Sequence, residues 1–145
     1  GLKLAREFMV ITERTERTRA AIEKRSPIVV EDYRRKLEKR LQRLLADHAD
    51  RVAVSDDAIL REVAIFADRC DVAEEIQRLK SHVEQFRKIA AEDDQVGRKL
   101  DFLVQELNRE INTIGSKASD AEIAQLCVDA KCDIERLREQ IQNVE

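Results

Sequence analysis

Apolar residues recur every three or four positions along almost the whole chain, and little interrupts this helical repeat. The 145 residues include 1 proline and 3 glycines. Runs of alternating β-branched and polar residues, which are typical of strands, are few. Charged residues make up 39% of the chain and aromatic residues 3%, which favours long helices over sheets. The sequence therefore predicts an all-α fold, a helical bundle of about six helices in a single domain over residues 1–145.

The single proline predicts a break between the first two helices. We predict one helix from about Leu2 to Lys24, and a second that begins at Ser26-Pro27 and ends near His48. Serine favours the N-cap and proline the first helical position. Because the connection is so short, we expect the two helices to form an extended antiparallel N-terminal hairpin. The apolar seam of the first helix comprises Phe8, Ile11, Thr15, Thr18 and Ile22.

Further helices are predicted from their start signals. A short third helix, a fourth that ends near Ala91, a fifth that ends near Gly115 and a sixth that reaches the C-terminus follow one another, with a loop at residues 92–95. Polar N-caps, and a Glu three residues after the cap, mark such starts. The signals are Ser55-Asp56-Asp57, Asp71 with Glu74, Gly97, and the capping box Ser119-Asp120-Ala121-Glu122.

Bulk composition excludes some functional classes. A net charge of -3 gives no sign of nucleic-acid binding by the chain as a whole, so any RNA contact must come from local patches. No apolar run approaches the roughly 20 residues that cross a bilayer. The 3 cysteines form no Cys-x-x-Cys pair, and we interpret them as reduced core thiols of a cytoplasmic protein. They are Cys70, Cys127 and Cys132.

The fifth predicted helix has an unusual polar surface. Its core face comprises Leu100, Leu103, Val104, Leu107, Ile111 and Ile114. One flank carries Asp101, Gln105, Asn108 and Asn112, the other carries Glu106, Glu110 and Thr113, and Arg109 points outward between them. Asparagine and threonine are mediocre helix formers, so their presence indicates contact with an ordered polar partner. The carboxylates of Asp101, Glu106 and Glu110 could hold Mg²⁺ or Mn²⁺, whereas a polar helix–helix or subunit interface would explain the same pattern.

The fourth predicted helix carries a second polar stripe at spacings of three and four residues, made of Glu75, Arg78, His82 and Gln85. His82 could act as a general acid or base in RNA cleavage, or as a metal ligand. The alternative is a partly buried histidine that is hydrogen-bonded to Glu75 or Glu84.

The second predicted helix contains a basic run that could bind phosphates electrostatically. Its members are Arg34, Arg35, Lys36, Lys39, Arg40 and Arg43. Glu31, Asp32 and Glu38 are interleaved with them, so a solvated face is at least as good an interpretation.

Three separated segments resemble the YicC-like endoribonuclease family and occur in family order: Gly97–Lys117, Asp71–Phe86 and Arg138–Glu145. The first, GRKLDFLVQELNREINTIGSK, closely resembles the family's signature. Members of this family are about twice as long and begin with a separate N-terminal domain. The resemblance therefore implies that residues 1–145 correspond to the C-terminal helical domain.

The resemblance also implies an activity: a cytoplasmic endoribonuclease that needs a divalent cation, Mn²⁺ or Mg²⁺, assembles as a homo-oligomeric hexamer, acts on structured RNA and has no membrane partner. The residues that match the signature then acquire hypothetical roles. The catalytic candidates are His82, Glu106 and Glu110, and the metal-ligand candidates are Glu75, Asp101 and Glu106. The RNA-binding candidates are Arg78, Arg98, Asn108, Arg109, Asn112 and Lys117. The rival hypothesis is a non-catalytic oligomerisation and RNA-binding module of a larger RNase.

Overall fold

The computed structural model describes residues 2–47, 55–92 and 97–144, and within these ranges it contains five α-helices and no strand. The helices are α1 (Leu2–Ala46), α2 (Asp56–Arg69), α3 (Ala73–Ala90), α4 (Gly97–Lys117) and α5 (Ala121–Val144). The all-α prediction is confirmed, although six helices is one too many for the described part. His48, the predicted end of the second helix, lies outside the described residues, as does most of the predicted loop at 92–95.

Four of these helices form an antiparallel bundle. α1 packs against α3 and α5, and α4 packs against the same two helices from the other side. Arg25 lies 3.0 Å from Asp120, near the start of α5, whereas Arg14 lies 3.4 Å from Asp133, farther along it. α1 therefore runs antiparallel to α5, as expected for an up-down-up-down arrangement.

The predicted break at Ser26-Pro27 is wrong, because α1 continues through it as one helix of 45 residues. Proline lacks the N–H that would bond to the preceding turn and is costly inside a helix. Packing on both sides offsets that cost, since Ile22 is fully buried and Val29 nearly so. The Ser26 hydroxyl donates to the Ile22 carbonyl at 2.9 Å instead of capping a new helix. No hairpin therefore forms between the two predicted helices.

A hairpin does form farther along the chain, between α2 and the distal half of α1, which comprises residues 27–46. The Tyr33 and Phe66 rings stack with centroids 3.8 Å apart, and α2 contacts α1 along this pair. No residue of α2 is buried. The distal half of α1 and α2 thus project from the bundle with little core of their own.

The core lies among α1, α3, α4 and α5, and all six predicted core positions of the fifth helix are buried. On α1, Phe8 meets Phe86 of α3 edge to face at 5.4 Å. Thr12 and Thr15 are also buried, and their hydroxyls donate to carbonyls one turn earlier, at 2.7 and 3.0 Å. Threonine can therefore occupy this seam without an unsatisfied hydroxyl.

The helix starts follow the predicted signals with small shifts. Ser55 caps α2 as predicted, accepting a hydrogen bond from the Ala58 amide at 3.2 Å. At α5 the cap is Asp120 rather than Ser119, and its carboxylate accepts from the Ile123 amide at 3.0 Å. At α3 the N-cap is the buried Val72, one residue after the predicted Asp71.

Two of the three cysteines match the core interpretation. Cys70 and Cys127 are buried, whereas Cys132 is exposed, so the prediction is wrong for Cys132. Cys132 lies on the outer face of α5, one position before the buried Asp133. Among the described helices, none is both long and apolar enough to cross a membrane.

Candidate functional site

The structure brings together polar residues of α3 and α4 that the sequence placed on two separate stripes. We call this group the α3–α4 cluster, and its members are Glu75, Arg78, His82, Glu106, Glu110 and Lys117. The two helices run antiparallel, so Glu75 at the start of α3 faces Lys117 at the end of α4. The polar stripe of each helix therefore becomes one wall of a shared site.

Glu75 is a buried carboxylate, with only 5% of the residue exposed. The Lys117 ammonium donates to its Oε1 at 2.7 Å. Its other oxygen, Oε2, is buried and has no hydrogen-bond partner among the described residues. Buried polar atoms are nearly always satisfied, so a further ligand that bonded to this carboxylate oxygen would be stabilised.

Arg78 lies between two carboxylates. It pairs with Glu74 one turn earlier on α3, and its Nη1 lies 3.9 Å from Oε1 of Glu110 on α4. Glu110 is 3% exposed, and its burial raises the pKa of its carboxyl above the ordinary value. Arg78 and His82 oppose that shift, while Glu75 and Glu106 reinforce it. Glu110 therefore keeps its proton to a higher pH than an exposed glutamate does.

His82 is half-buried beside these acids. Its Nδ1 is buried and lacks a hydrogen-bond partner among the described residues, so the predicted alternative of a bond to Glu75 or Glu84 is not formed. An imidazole with an unused ring nitrogen next to a buried carboxyl can exchange a proton with a bound ligand.

The second flank of α4 forms a separate surface. We call it the amide flank, and its members are Asp101, Gln105, Asn108 and Asn112. Gln105 donates to Asp101 at 3.2 Å. This flank lies on the side of Gly115, which faces Cys127 of α5 rather than α3. Asp101 and Glu106 are about 140° apart around the helix axis, so the structure does not bring Asp101 to the α3–α4 cluster.

The predicted cations are divided in the same way. Arg78 and Lys117 belong to the α3–α4 cluster, whereas Arg98 and Arg109 are exposed on the outer surface of α4. Arg109 lies 3.7 Å from Glu106, so it borders the cluster from outside. Asn108 and Asn112 are exposed on the amide flank.

The donor types suit a hard divalent cation, although their arrangement is sparse. Among residues 2–47, 55–92 and 97–144, no three His, Cys, Asp or Glu side chains converge as a metal-binding group. The predicted set of Glu75, Asp101 and Glu106 is therefore not assembled. Mg²⁺, however, commonly binds through one or two carboxylates and keeps several waters. The unpartnered Oε2 of Glu75 could meet that lower requirement with waters completing the coordination. Glu106 lies about three turns of α4 before Lys117, the partner of Glu75, so the two carboxylates do not share one coordination sphere.

Sequence reasoning overlooked one member of the ion-pair network. Glu74 was assigned only to a helix start, yet it holds Arg78 from the exposed side. The signal was present, because Glu and Arg at i and i+4 face each other on a helix.

Comparison with known proteins agrees with the resemblance of the signature segment. A family model described as "Endoribonuclease YicC-like, C-terminal" matches residues 22–145. A "Probable endoribonuclease YicC" of Clostridioides difficile (strain 630) is 46% identical over 145 residues, which are 100% of this chain and 48% of that protein. The "Probable endoribonuclease YicC" of Haemophilus influenzae (strain ATCC 51907 / DSM 11121 / KW20 / Rd) is 45% identical over 105 residues, 72% of this chain and 37% of that protein.

The alignments thus span about half, or less, of the length of these relatives. The matched region contains all of α2 to α5 and the distal half of α1, and with them every residue of the α3–α4 cluster. By sequence, the chain belongs to the YicC-like endoribonuclease family and corresponds to its C-terminal region.

Proposed function

We propose that this chain is the catalytic helical module of an endoribonuclease that hydrolyses phosphodiester bonds of structured RNA at the α3–α4 cluster. One observation carries the proposal: Glu75 Oε2 and His82 Nδ1, two buried polar atoms that have no hydrogen-bond partner within the described ranges, lie in a cluster that also holds Arg78 and Lys117. Unsatisfied buried acceptors beside cations are expected where a ligand completes the site. The relatives named as probable endoribonucleases supply the class of ligand.

His82 and Glu110 have the chemistry for two complementary proton transfers. In the proposed reaction His82 accepts the proton of the attacking water as a new P–O bond forms. Glu110 donates its proton to the leaving ribose oxygen as the old P–O bond breaks. A buried acid with a raised pKa suits the donor role because it remains protonated at higher pH. Arg78 and Lys117 hold the phosphate oxygens.

We propose Glu75 and Glu106 as two separate candidate ligands of a divalent cation, Mn²⁺ or Mg²⁺, in each case with water and phosphate oxygens completing the coordination. Such a cation supplies positive charge to the phosphate and lowers the pKa of a bound water. The Lys117 ammonium lies 2.7 Å from Oε1 of Glu75 and supplies positive charge beside this carboxylate. A bound cation would supply positive charge at the same place. Asp101 lies on the amide flank, away from the other two carboxylates. We keep it as a candidate ligand, which the Asp101→Asn variant below tests.

The amide flank and its neighbours are proposed to contact RNA outside the reacting phosphate. Asn108 and Asn112 are exposed amides that suit ribose or base edges, and Arg98 and Arg109 suit backbone phosphates. A small helical bundle offers little concave surface. We therefore propose a cytoplasmic homo-oligomer, a hexamer as in the resemblance, with RNA in a cleft between subunits.

The competing proposal is a non-catalytic oligomerisation and RNA-binding module. The ion pair of the exposed Lys117 with the buried Glu75 favours it, because a pair that joins two helices also fixes how they pack. On that proposal the cleavage residues lie elsewhere in a longer protein.

RNA cleavage by the full-length protein with Mn²⁺ distinguishes the two proposals. We expect His82→Ala and Glu106→Gln each to lower kcat by about 10²- to 10⁴-fold, the usual contribution of one proton-transferring or charge-stabilising group. Glu139→Gln, an exposed carboxylate on α5, is the matched control and should cleave at the wild-type rate. Asp101→Asn tests the remaining ligand candidate.

Circular dichroism and oligomer size must be unchanged in every variant. Cleavage at wild-type rates by both His82→Ala and Glu106→Gln would overturn the catalytic proposal and favour the binding module. Loss of activity in Asp101→Asn, with RNA affinity retained, would add Asp101 to the site. Full activity in that variant would remove it.

A further inference from the structure

A stripe of exposed cations runs along the distal half of α1. Val29 is the last buried residue of α1 within residues 2–47, and the stripe lies beyond it. We call these residues the basic stripe: Lys36, Lys39, Arg40 and Arg43, all exposed. At about 100° per residue they occupy an arc of about 100° around the helix and about 10 Å of its length.

The acidic residues interleaved with this segment are already paired with other cations. Arg34 donates to Glu31 at 2.7 Å and to Glu38 at 3.0 Å. Arg25 lies 3.5 Å from Asp32. Across residues 2–47, 55–92 and 97–144, no member of the basic stripe takes part in an ion pair, so its charge is not cancelled locally. The interleaved acidic residues therefore do not argue against phosphate binding by this surface.

The basic stripe begins near the end of the bundle where the α3–α4 cluster lies. Lys117 is the last residue of α4, and Asp120 follows at the cap of α5. The hydrogen bond from Arg25 lowers the pKa of Asp120, and the Lys36 ammonium acts in the same direction. Arg25 also lies 3.0 Å from Asp120 and 3.5 Å from Asp32, which is one turn before Lys36. The contacts therefore place the start of the basic stripe near the short segment that directly follows Lys117.

We propose that the basic stripe is a second RNA-binding surface, which holds the phosphate backbone of the strand that leaves the α3–α4 cluster. This inference rests on the proposed function, because RNA is the ligand of both surfaces. Exposed cations along a helix suit an extended polyanion, since each phosphate that they neutralise releases condensed counterions. Such contacts position the nucleic acid and carry no base specificity.

The test measures RNA binding separately from cleavage. The full-length protein would be titrated with a synthetic RNA hairpin that has a single-stranded tail, in EDTA, by fluorescence anisotropy at several salt concentrations. We expect the variant with Gln at all four positions (Lys36, Lys39, Arg40 and Arg43) to lose about tenfold or more in affinity at low salt. Its plot of log affinity against log salt should flatten by roughly 3, at about 0.7–0.9 per lost phosphate contact.

The matched control replaces four exposed cations on other faces with Gln: Arg6, Lys24, Lys88 and Lys131. Its salt slope should stay close to wild type, and both variants must keep the wild-type oligomer size. If the stripe variant loses no more affinity than the control, or loses its assembly but not RNA affinity, the stripe proposal is overturned while the catalytic proposal stands. Wild-type protein that binds RNA through the stripe but never cleaves it would support the stripe and overturn the catalytic proposal.

Discussion

Asp133 is a carboxylic acid held in an unfavourable place for its charge. Its side chain is 4% exposed, and its burial raises its pKa. Arg14 of α1, 3.4 Å away, and Arg136 of α5 oppose the shift, while Asp129 reinforces it. Because the folded-state pKa exceeds the unfolded one, the folded chain binds this proton more tightly. The stability that Asp133 contributes is complete below its unfolded pKa and is lost as pH rises through its folded pKa.

We therefore expect Asp133→Asn to gain stability relative to wild type as pH rises from acid to neutral. The measurement is urea unfolding of both proteins at pH 4 and pH 7, with the difference in unfolding free energy compared between the two. Glu139→Gln, an exposed carboxylate on the same helix that does not act on Asp133, is the control for the loss of one carboxylate. A wild type that outperforms Asp133→Asn by more at pH 7 than at pH 4 would show that the Arg14 pair outweighs burial.

At the scale of single residues, the sequence predicted apolar burial well and polar burial poorly. The periodicity identified the core face of α4 correctly at every position. Glu110 was assigned to a polar flank, yet it lies only about 20° from Leu103 on the helix wheel and is buried. Residue type could not decide this, because burial at the edge of an apolar face depends on the neighbouring helix.

Pro27 lies inside α1, and the continuity of this helix makes a direct prediction. Proline in a helix interior costs about 3 kcal/mol relative to alanine, part of which returns through its restriction of the unfolded chain. Pro27 is exposed, so its replacement leaves no core cavity. We expect Pro27→Ala to raise the unfolding free energy by about 2 kcal/mol, measured by chemical denaturation.

The alternative arrangement predicts a different result for the same variant. If Pro27 occupied the first position of a separate helix, alanine would be neutral or slightly destabilising, because proline is favoured there. Exposed Ile28→Ala, the neighbouring position, controls for a general propensity effect and should change stability by much less. Unchanged or lower stability of Pro27→Ala would contradict a continuous α1.

At the scale of helices, local signals located most helix starts but could not decide the one at Pro27. Ser-Pro is a genuine start signal, and the Ser55 cap shows that such signals hold elsewhere in this chain. At residue 27 the competing influence is tertiary. Ile22 and Val29 are buried by other helices, and Arg25 is held by Asp120 of α5. The Arg25–Asp120 contact joins residues 95 positions apart, a separation that no local pattern contains.

For the whole molecule, unequal burial predicts unequal stability. Among the described helices, α4 contributes six apolar residues to the core and buries Glu110 beside them, whereas α2 has no buried residue. Amide hydrogen exchange should therefore be slower in α4 than in α2, because segments with few buried contacts open at low free-energy cost. Mass spectrometry of peptides from each helix would measure it. Equal protection of α2 and α4 would indicate that the hairpin formed by α2 and the distal half of α1 is shielded from solvent when the protein is in solution.

The site also belongs to the scale of the whole molecule. The sequence predicted the two polar stripes, on α3 and on α4, and the structure shows that one flank of α4 faces α3. The other flank, which carries Asp101, does not face α3. The sequence alone could not show which of the two flanks would face α3. Which flank meets α3 depends on how the bundle closes, since both flanks border the same apolar face.

The length of α1 has a mechanical consequence. From Pro27 to Ala46 the helix extends about 28 Å past the position where its backbone lacks a hydrogen-bond donor. A rotation of the helix by about 10° at that position would move its C-terminal end by about 5 Å, which is comparable to the rise of one helical turn. Bending at the one turn that Pro27 weakens could therefore convert a small rotation within the bundle into a large displacement of the C-terminal end of α1.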